Sequence, residues 1–376
     1  MPDLRPLRRP SGDRRLNPPL SAPRIAVDLL GGDAGPEVVV DGAILAAQRC
    51  AELELLLVGP PDVAAALLAR RPGVDGRLRV VPATQRIEMS EDPVRAVRSR
   101  RDATVRVAAR LLRDGQADGC VSVGPTGAAM AAALFTLGCL PGVTRPPLAV
   151  VVPAAKAPVV LVDAGATVKA GPDLLVQFAL PGAAYARVHL GVSEPAVGLL
   201  SVGSEPGKGD PTRKEAARLL EVLLAGPQMP ARFAGNVESA AVTMGGVVDV
   251  VVTDGFTGNV LLKGMEGAVA AVAELAWPQL DSPARAALGR VIRRFGPDTQ
   301  GGAMLLGVNG VVVVGHGASS PVAVAACIAG AAEAVNAGLL PRMTVAMAGL
   351  LEWRRTGHPL KAAGKGPGYA DAGMTS

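Results

Sequence analysis

The chain is short of aromatic residues. Phe, Tyr and Trp make up 2% of its 376 residues. Base-stacking platforms for single-stranded nucleic acid therefore cannot be assembled in number, and the core must be built from Val, Leu and Ala. Histidine is scarce: His189, His316 and His358 are scattered and lack the spacing of a zinc site. The four cysteines, Cys50, Cys120, Cys139 and Cys327, form no C-x-x-C pair, which fits a reducing, cytoplasmic compartment. No apolar run reaches transmembrane length, because Lys156 interrupts the longest candidate, Pro146 to Val162. The N-terminus lacks the apolar stretch of a secretory signal.

The body of the chain also lacks a charge excess, in spite of a formal net charge of +5. Residues 1–24 carry Arg5, Arg8, Arg9, Arg14, Arg15 and Arg24 against Asp3 and Asp13. Residues 351–376 carry Arg354, Arg355, Lys361 and Lys365 against Glu352 and Asp371. Such basic ends are solvated tails by default, and no nucleic-acid partner is expected. Residues 1–23, rich in Pro and Arg, read as a disordered basic extension. Residues 24–340 read as one α/β domain, and 341–376 as a C-terminal tail.

What the chain has in quantity is short apolar runs alternating with Ala/Leu-rich helical segments. "RIAVD" (24–28), "LELLLVG" (53–59), "LRVVP" (78–82), "DGCVSVG" (118–124), "LAVVVP" (148–153), "APVVLVD" (157–163), "VGLLSVG" (197–203), "VDVVVTD" (248–254) and "VVVVGH" (311–316) read as buried parallel strands, apolar on both faces. Helices are expected over 102–114, 126–138, 171–187, 211–225, 259–276 and 320–338. The pattern is that of an α/β three-layer sandwich with a mainly parallel sheet.

Polar and glycine-rich clusters follow these strands at 28–37, 123–127, 163–167, 202–210, 253–259 and 315–320. Ligands of doubly wound sheets bind at strand carboxyl ends, so six such turns on one rim are expected to form a crevice. "VGSEPGKGD" (202–210) resembles a nucleotide-phosphate loop but is one residue short between Gly203 and Gly207, and has no Ser or Thr after Lys208. Nucleotide hydrolysis is set aside. An ammonium, loop amides and a helix start near Asp210 still suit an anion, against the plainer reading of a solvated surface loop.

In "DLLGGDAGP" Gly31 and Gly32 allow close backbone approach, Asp33 could cap the helix starting near Pro36, and Asp28 at the strand end is the better functional candidate. In "TDGFTGNVLLKGMEG" Asp254 ends a strand, and Asn259 and Lys263, four apart, share a helix face. Asn259 could instead be a cap, and Lys263 could pair with Glu266 or Glu238. His316, flanked by glycines at a strand end, is better placed for chemistry than a lone core histidine.

Taken together, "IAVDLLGGDAGPEVVVDGA", "VSVGPTGAAMAAALFTLGCLPGVTRPPLA", "FAGNVES", "VDVVVTDGFTGNVLLKGMEG", "GGAMLLGVNGVVVVGHGAS" and "AVNAGL" resemble, in order and spacing over about residues 24–340, the bacterial phosphate acyltransferases of phospholipid synthesis, the PlsX type. The resemblance implies a fold like that of isocitrate and isopropylmalate dehydrogenases, and transfer of an acyl group from acyl carrier protein to inorganic phosphate. It implies a homodimer in peripheral contact with the membrane, supplying a glycerol-3-phosphate acyltransferase. No cofactor and no metal are expected. Lys263, His316 and Asp254 are the expected catalytic groups. Asp28, Gly31, Gly32, Gly124, Thr126, Asp163, Lys208, Gly209, Asn236, Gly258 and Asn259 are expected to bind phosphate and acyl donor.

Three positions depart from the family pattern: Pro125, Thr167 and Asp210 stand where asparagine is usual, and Asp210 would repel an anion unless it caps the next helix. An acyl-CoA phosphotransacylase on the same fold and a non-catalytic scaffold for carrier protein or membrane stay open. A dehydrogenase is disfavoured because no nicotinamide or metal-carboxylate signature is present. Arg95, Arg98, Arg100 and Arg101 could form a carrier-docking patch or a solvated face. The segment 265–290, with Trp277 and Leu280, could face lipid, a partner subunit or the core.

Overall fold

The apolar runs become the strands of a single sheet. The computed structural model describes residues 22–71, 76–227, 229–296 and 301–356. Most of the basic extension and residues 357–376 of the expected tail lie outside the described residues. The strands are β1 (Arg24–Asp28), β2 (Glu54–Gly59), β3 (Leu78–Pro82), β4 (Gly119–Ser122), β5 (Leu148–Val152), β6 (Val159–Val162), β7 (Ala196–Leu200), β8 (Arg232–Val237), β9 (Val250–Val252), β10 (Ala303–Leu305) and β11 (Val311–Val314). Strands β8 and β10 are not among the expected runs. The first mixes Arg232, Gly235 and Asn236 into its length, and the second has three residues.

The helices are α1 (Pro36–Arg49), α2 (Pro61–Ala69), α3 (Pro93–Ser99), α4 (Thr104–Arg113), α5 (Thr126–Leu137), α6 (Pro172–His189), α7 (Pro211–Leu224), α8 (Ala240–Met244), α9 (Gly255–Ala276), α10 (Ser282–Phe295), α11 (Pro321–Asn336) and α12 (Leu339–Arg355). Residues 339–355 continue the ordered body past the tail boundary expected at 341. Met343, Ala346, Met347 and Leu350 are buried, and α12 packs on α6. No single helix among the described residues is long and apolar enough to cross a membrane.

Alternate side chains along each strand enter two separate cores. Ile25, Val27, Leu55, Leu57, Val160, Val162 and Val311 pack with α1, α6, α7, α11 and α12. Ala26, Leu56, Val58, Leu148, Val150, Leu161 and Val312 pack with α3, α4, α5, α8 and the first turns of α9. Both faces are covered, so the strands lack polar alternation. The result is the three-layer α/β sandwich expected.

The strand order is β3-β2-β1-β4-β11-β10-β5-β6-β9-β7-β8. Pairing is parallel within β3-β2-β1-β4-β11 and within β6-β9-β7-β8, and antiparallel at β11–β10, β10–β5 and β5–β6. Three reversals leave the two parallel blocks running in opposite directions. Asp28, Ser122 and Val314 therefore end their strands at one edge, while Val162, Leu200 and Val252 end theirs at the other. This corrects the expectation of six clusters on one rim. The two edges still come close at β10, whose three residues span only about 10 Å.

Candidate active site

A cavity of ≈ 770 Å³ lies where the blocks meet. Leu148 and Val150 of β5, Ala303 of β10 and Val314 of β11 give it an apolar floor, extended by Ala323 and Cys327 of α11. Its polar wall holds Thr126 at the start of α5, Asn259, Lys263 and Glu266 along α9, and His316 in the turn before α11. Five expected site residues thus line one cavity: Gly124, Thr126, Asn259, Lys263 and His316. Among the described residues, Lys263 is the one lysine or arginine in the lining and Glu266 the one carboxylate.

α9 brings most of this wall. Asp254 caps it: the Thr257 N–H donates to Oδ1 (2.9 Å) and the Thr257 hydroxyl to Oδ2 (2.9 Å). Arg213 donates to the same Oδ2 at 2.7 Å. Burial pushes the Asp254 carboxyl up, but these hydrogen bonds and the Arg213 charge outweigh it and hold it below the ordinary carboxylate value. Asp254, one of the three expected catalytic groups, is therefore an ionised cap outside the cavity lining. Asn259, five residues into the helix, leaves the capping to Asp254 and stands one turn before Lys263. The Lys263 ammonium donates to Glu266 Oε2 at 2.8 Å, the first of the two pairings foreseen for it.

Beneath the first turn of α9, Asp163 is fully buried. The N–H groups of Leu148 (3.0 Å), Gly165 (3.0 Å) and Ala166 (2.9 Å) donate to its Oδ1, and that of Thr167 (2.7 Å) to its Oδ2. Burial raises its pKa against these four donors. Its carboxylate folds the 163–167 turn and lines no part of the cavity. The turn and α9 approach so closely that a Cβ on Gly258 would lie 1.9 Å from the Asp163 carbonyl oxygen. Gly258 is thus a packing glycine under the site.

The other wall starts at α5. Pro125 occupies its N-cap position without a side-chain cap, leaving the helix N-terminus beside the cavity. The turn before it is held by Ser122, whose Oγ donates to Asp28 Oδ2 (2.7 Å) and accepts from the Gly124 N–H (3.2 Å). Asp28 is 2% exposed and its Oδ1 has no hydrogen-bond partner. Burial pushes its pKa up, opposed by the hydroxyls of Thr104 and Ser122. Gly31 sits against this pair, since a Cβ there would meet Asp28 Oδ2 at 2.7 Å and the Gly124 nitrogen at 2.8 Å. Gly32 packs near Val123. Asp28, Gly31 and Gly32 therefore build the turn and line no part of the cavity.

Asp33 does not cap α1, whose N-cap is Gly35. Its N–H instead donates to the Gly317 carbonyl at 2.8 Å, tying the first loop to the His316 turn. There the Ala318 N–H donates to His316 Nδ1 (3.1 Å). Nδ1 is thereby the acceptor, and Nε2 carries the proton of the neutral ring.

Lys208 and Gly209 do not join this cavity. Their loop lies on the other side of the α9 N-terminus, beside a second groove of ≈ 470 Å³ lined by Ser201, Val202, Glu238, Phe256 and Val260. Asn236 lies beneath the loop, its amide donating to the carbonyls of Glu205 (3.2 Å) and Lys208 (3.4 Å). Asp210 caps α7, accepting from the Arg213 N–H (3.0 Å) and guanidinium (2.6 Å). That removes the expected repulsion.

Arg213, which the sequence did not single out, supports the site from outside the cavity. It joins Asp210, Asp254 and the Leu200 carbonyl (2.9 Å) and so links the caps of two helices. Two acidic residues starting neighbouring helices were the available signal. Of the proposed docking arginines, Arg98 lies over the Phe135 ring at 4.8 Å and Arg100 pairs with Glu91 at 2.6 Å. Both are engaged within the fold.

Residues 23–342 match the family described as "Fatty acid synthesis protein". The phosphate acyltransferase of Thermobifida fusca is 44% identical over 321 residues, covering 83% of this chain and 88% of that protein. That of Acidobacterium capsulatum is 42% identical over 325 residues, covering 84% and 94%. Among solved structures, the EutD phosphotransacetylase from Staphylococcus aureus superposes with a TM-score of 0.55 at 16% identity, over 83% of this chain and 94% of that one. A phosphotransacetylase from Streptococcus pyogenes gives 0.54 at 17%, over 87% and 94%. The structural likeness shows a shared fold. The sequence matches, which run from the first strand into α12, show that the chain belongs to the phosphate acyltransferase family.

Proposed function

We propose that this protein transfers a fatty acyl group from acyl-[acyl carrier protein] to inorganic phosphate, releasing acyl phosphate for phospholipid synthesis. The observation that carries the reading is the make-up of the cavity: an ammonium, an uncapped helix N-terminus and an imidazole above an apolar floor. The polar wall suits a phosphate, and the floor suits an acyl chain.

A phosphate oxygen attacks the thioester carbonyl carbon, the C–O bond forms, the C–S bond breaks, and the carrier thiolate leaves. The proton of hydrogen phosphate passes to that sulfur, and the His316 Nε2–H donates a hydrogen bond to the sulfur as it leaves. Lys263 and the α5 N-terminus hold the phosphate and offset charge on the developing oxyanion. Catalysis then rests on positioning and charge stabilisation. In this reading the enzyme works in the cytoplasm as a homodimer at the inner face of the membrane and hands its product to a glycerol-3-phosphate acyltransferase. The exposed apolar surface on α9 and α10 supports that part.

The test is to incubate the protein with phosphate and either long-chain acyl carrier protein or acyl-CoA, and trap acyl phosphate with hydroxylamine. Phosphate-dependent hydroxamate from the carrier substrate alone is expected. Product from acyl-CoA alone makes it a CoA phosphotransacylase, and none from either leaves a carrier-binding scaffold. Lys263→Met is expected to lower kcat by about 10²–10³ with the KM for acyl carrier protein little changed. Equal effects on both would remove Lys263 from the chemistry.

A further inference from the structure

We propose that Glu266 is a built-in competitor for the anion site: its carboxylate occupies Lys263 until phosphate displaces it. This inference rests on the proposed phosphate-binding role of the cavity. Lys263 and Glu266 both line that cavity, and their 2.8 Å ion pair joins its one lysine or arginine to its one carboxylate among the described residues. An incoming anion meets a cation that is already neutralised.

The geometry makes the competitor weak. The two side chains are 53% and 32% exposed, and exposed pairs are stabilised little. The order along the helix, lysine before glutamate, is the less favourable one against the helix dipole. A monovalent anion gains little more from Lys263 than Glu266 already does, whereas a dianion gains more charge at the same ammonium. The pair therefore raises the threshold for chloride, acetate and free fatty carboxylate while leaving phosphate able to enter. That threshold matters in a cavity whose apolar floor would otherwise welcome a fatty acid head-first onto a bare lysine. Asn259 lines the same α9 wall one turn before Lys263.

Glu266 acts through Lys263 and is a positioning residue. The test is calorimetric titration of wild-type protein, Glu266→Gln and Glu266→Asp with inorganic phosphate, sulfate and acetate, alongside steady-state kinetics in phosphate. Glu266→Gln is expected to tighten phosphate and sulfate binding by up to about five-fold. It should tighten acetate binding by a similar factor, because every anion displaces the same carboxylate from Lys263. The KM for phosphate should drop in step while kcat and the KM for the acyl donor stay within about two-fold. Glu266→Asp, which keeps the charge, should stay nearer wild type. Equal or weaker anion binding by Glu266→Gln overturns the proposal. Tighter anion binding in a protein that forms no acyl phosphate leaves Glu266 as proposed and removes the transferase reading. Phosphate binding to neither protein overturns both.

Discussion

Arg213 has the most consequential set of partners of any single side chain near the site. Its guanidinium is largely buried between two carboxylates that each start a helix, so replacing it leaves the mostly buried Asp254 and the exposed Asp210 without their cation. Arg213→Met should lower the unfolding free energy at pH 7 by about 1–3 kcal/mol. The pH dependence has a definite sign. Asp210 and Asp254 have folded pKa values below the ordinary one. Their contribution is therefore present above the unfolded value of about 3.9 and lost as pH falls through the folded values. Urea unfolding should show wild type and variant converging as the pH is taken below about 4. Asp28 and Asp163, raised by burial, gain stability as the pH falls toward that same value, and do so equally in both proteins. A gap that persists unchanged in acid would show that Arg213 acts through packing alone.

At this scale the sequence is readable where an exposed polar group follows a glycine-rich turn: Thr126, Asn259, Lys263 and His316, singled out in this way, all line the cavity. It misled where a buried acid ends a strand. Asp28 and Asp163 look like ligands in the sequence, yet Asp28 Oδ2 is taken by Ser122, both Asp163 oxygens are taken by backbone N–H groups, and neither residue lines the cavity. Position at a strand end gives height in the sheet, not which way the side chain turns.

Among the elements, α9 does two jobs with different parts of its 22 residues, about 33 Å of helix. Its buried residues are Gly255, Gly258 and Leu262, all among its first eight residues. Beyond them, Gly264 has open space where a side chain would go. Two substitutions of the same kind should therefore have opposite signs. Gly258→Ala drives a methyl into the Asp163 carbonyl and should cost about 1–3 kcal/mol or more while lowering activity. Gly264→Ala should add about 0.5–1 kcal/mol through backbone entropy alone. Thermal and urea unfolding of the two variants decide it, and a shared sign would mean the close approach under α9 is not rigid. The sequence showed the start of this element poorly, opening the helix at 259, because "DGFTG" reads as a turn. The cap on Asp254 overrides two glycines.

For the whole molecule, strand positions were legible and strand directions were not. Apolar runs such as "LAVVV" and "VVLV" look the same whether they pair parallel or antiparallel, so the reversals around β10 had no signature. The other large-scale feature is the projecting pair formed by the end of α9 and α10. α10 buries no residue, and Val272, Leu275, Trp277 and Val291 are 61%, 73%, 43% and 50% exposed. Core packing, one of the three fates open to this segment, is ruled out. Exposed apolar groups at this density mark a contact surface. The double variant Val272→Glu with Leu275→Glu should sediment as a monomer if wild type is the proposed dimer. A variant that stays dimeric but no longer floats with anionic vesicles assigns the surface to lipid. No change in either measurement removes both roles.

The position of β11 carries a consequence for how the chain is made. The first parallel block is completed by residues 311–314, which pair with β4. α1 lies so close to α11 that a Cβ on Gly42 would meet Val324 at 2.5 Å. At ~5–20 residues per second, a ribosome that has finished Ser122 needs about 10–40 s more to reach Val311. Throughout that interval β4 offers an open edge and α1 an uncovered apolar face, both invitations to aggregate. The two halves of the molecule are therefore not successive products of translation. The first waits, half-built and in need of protection, for residues 311–336.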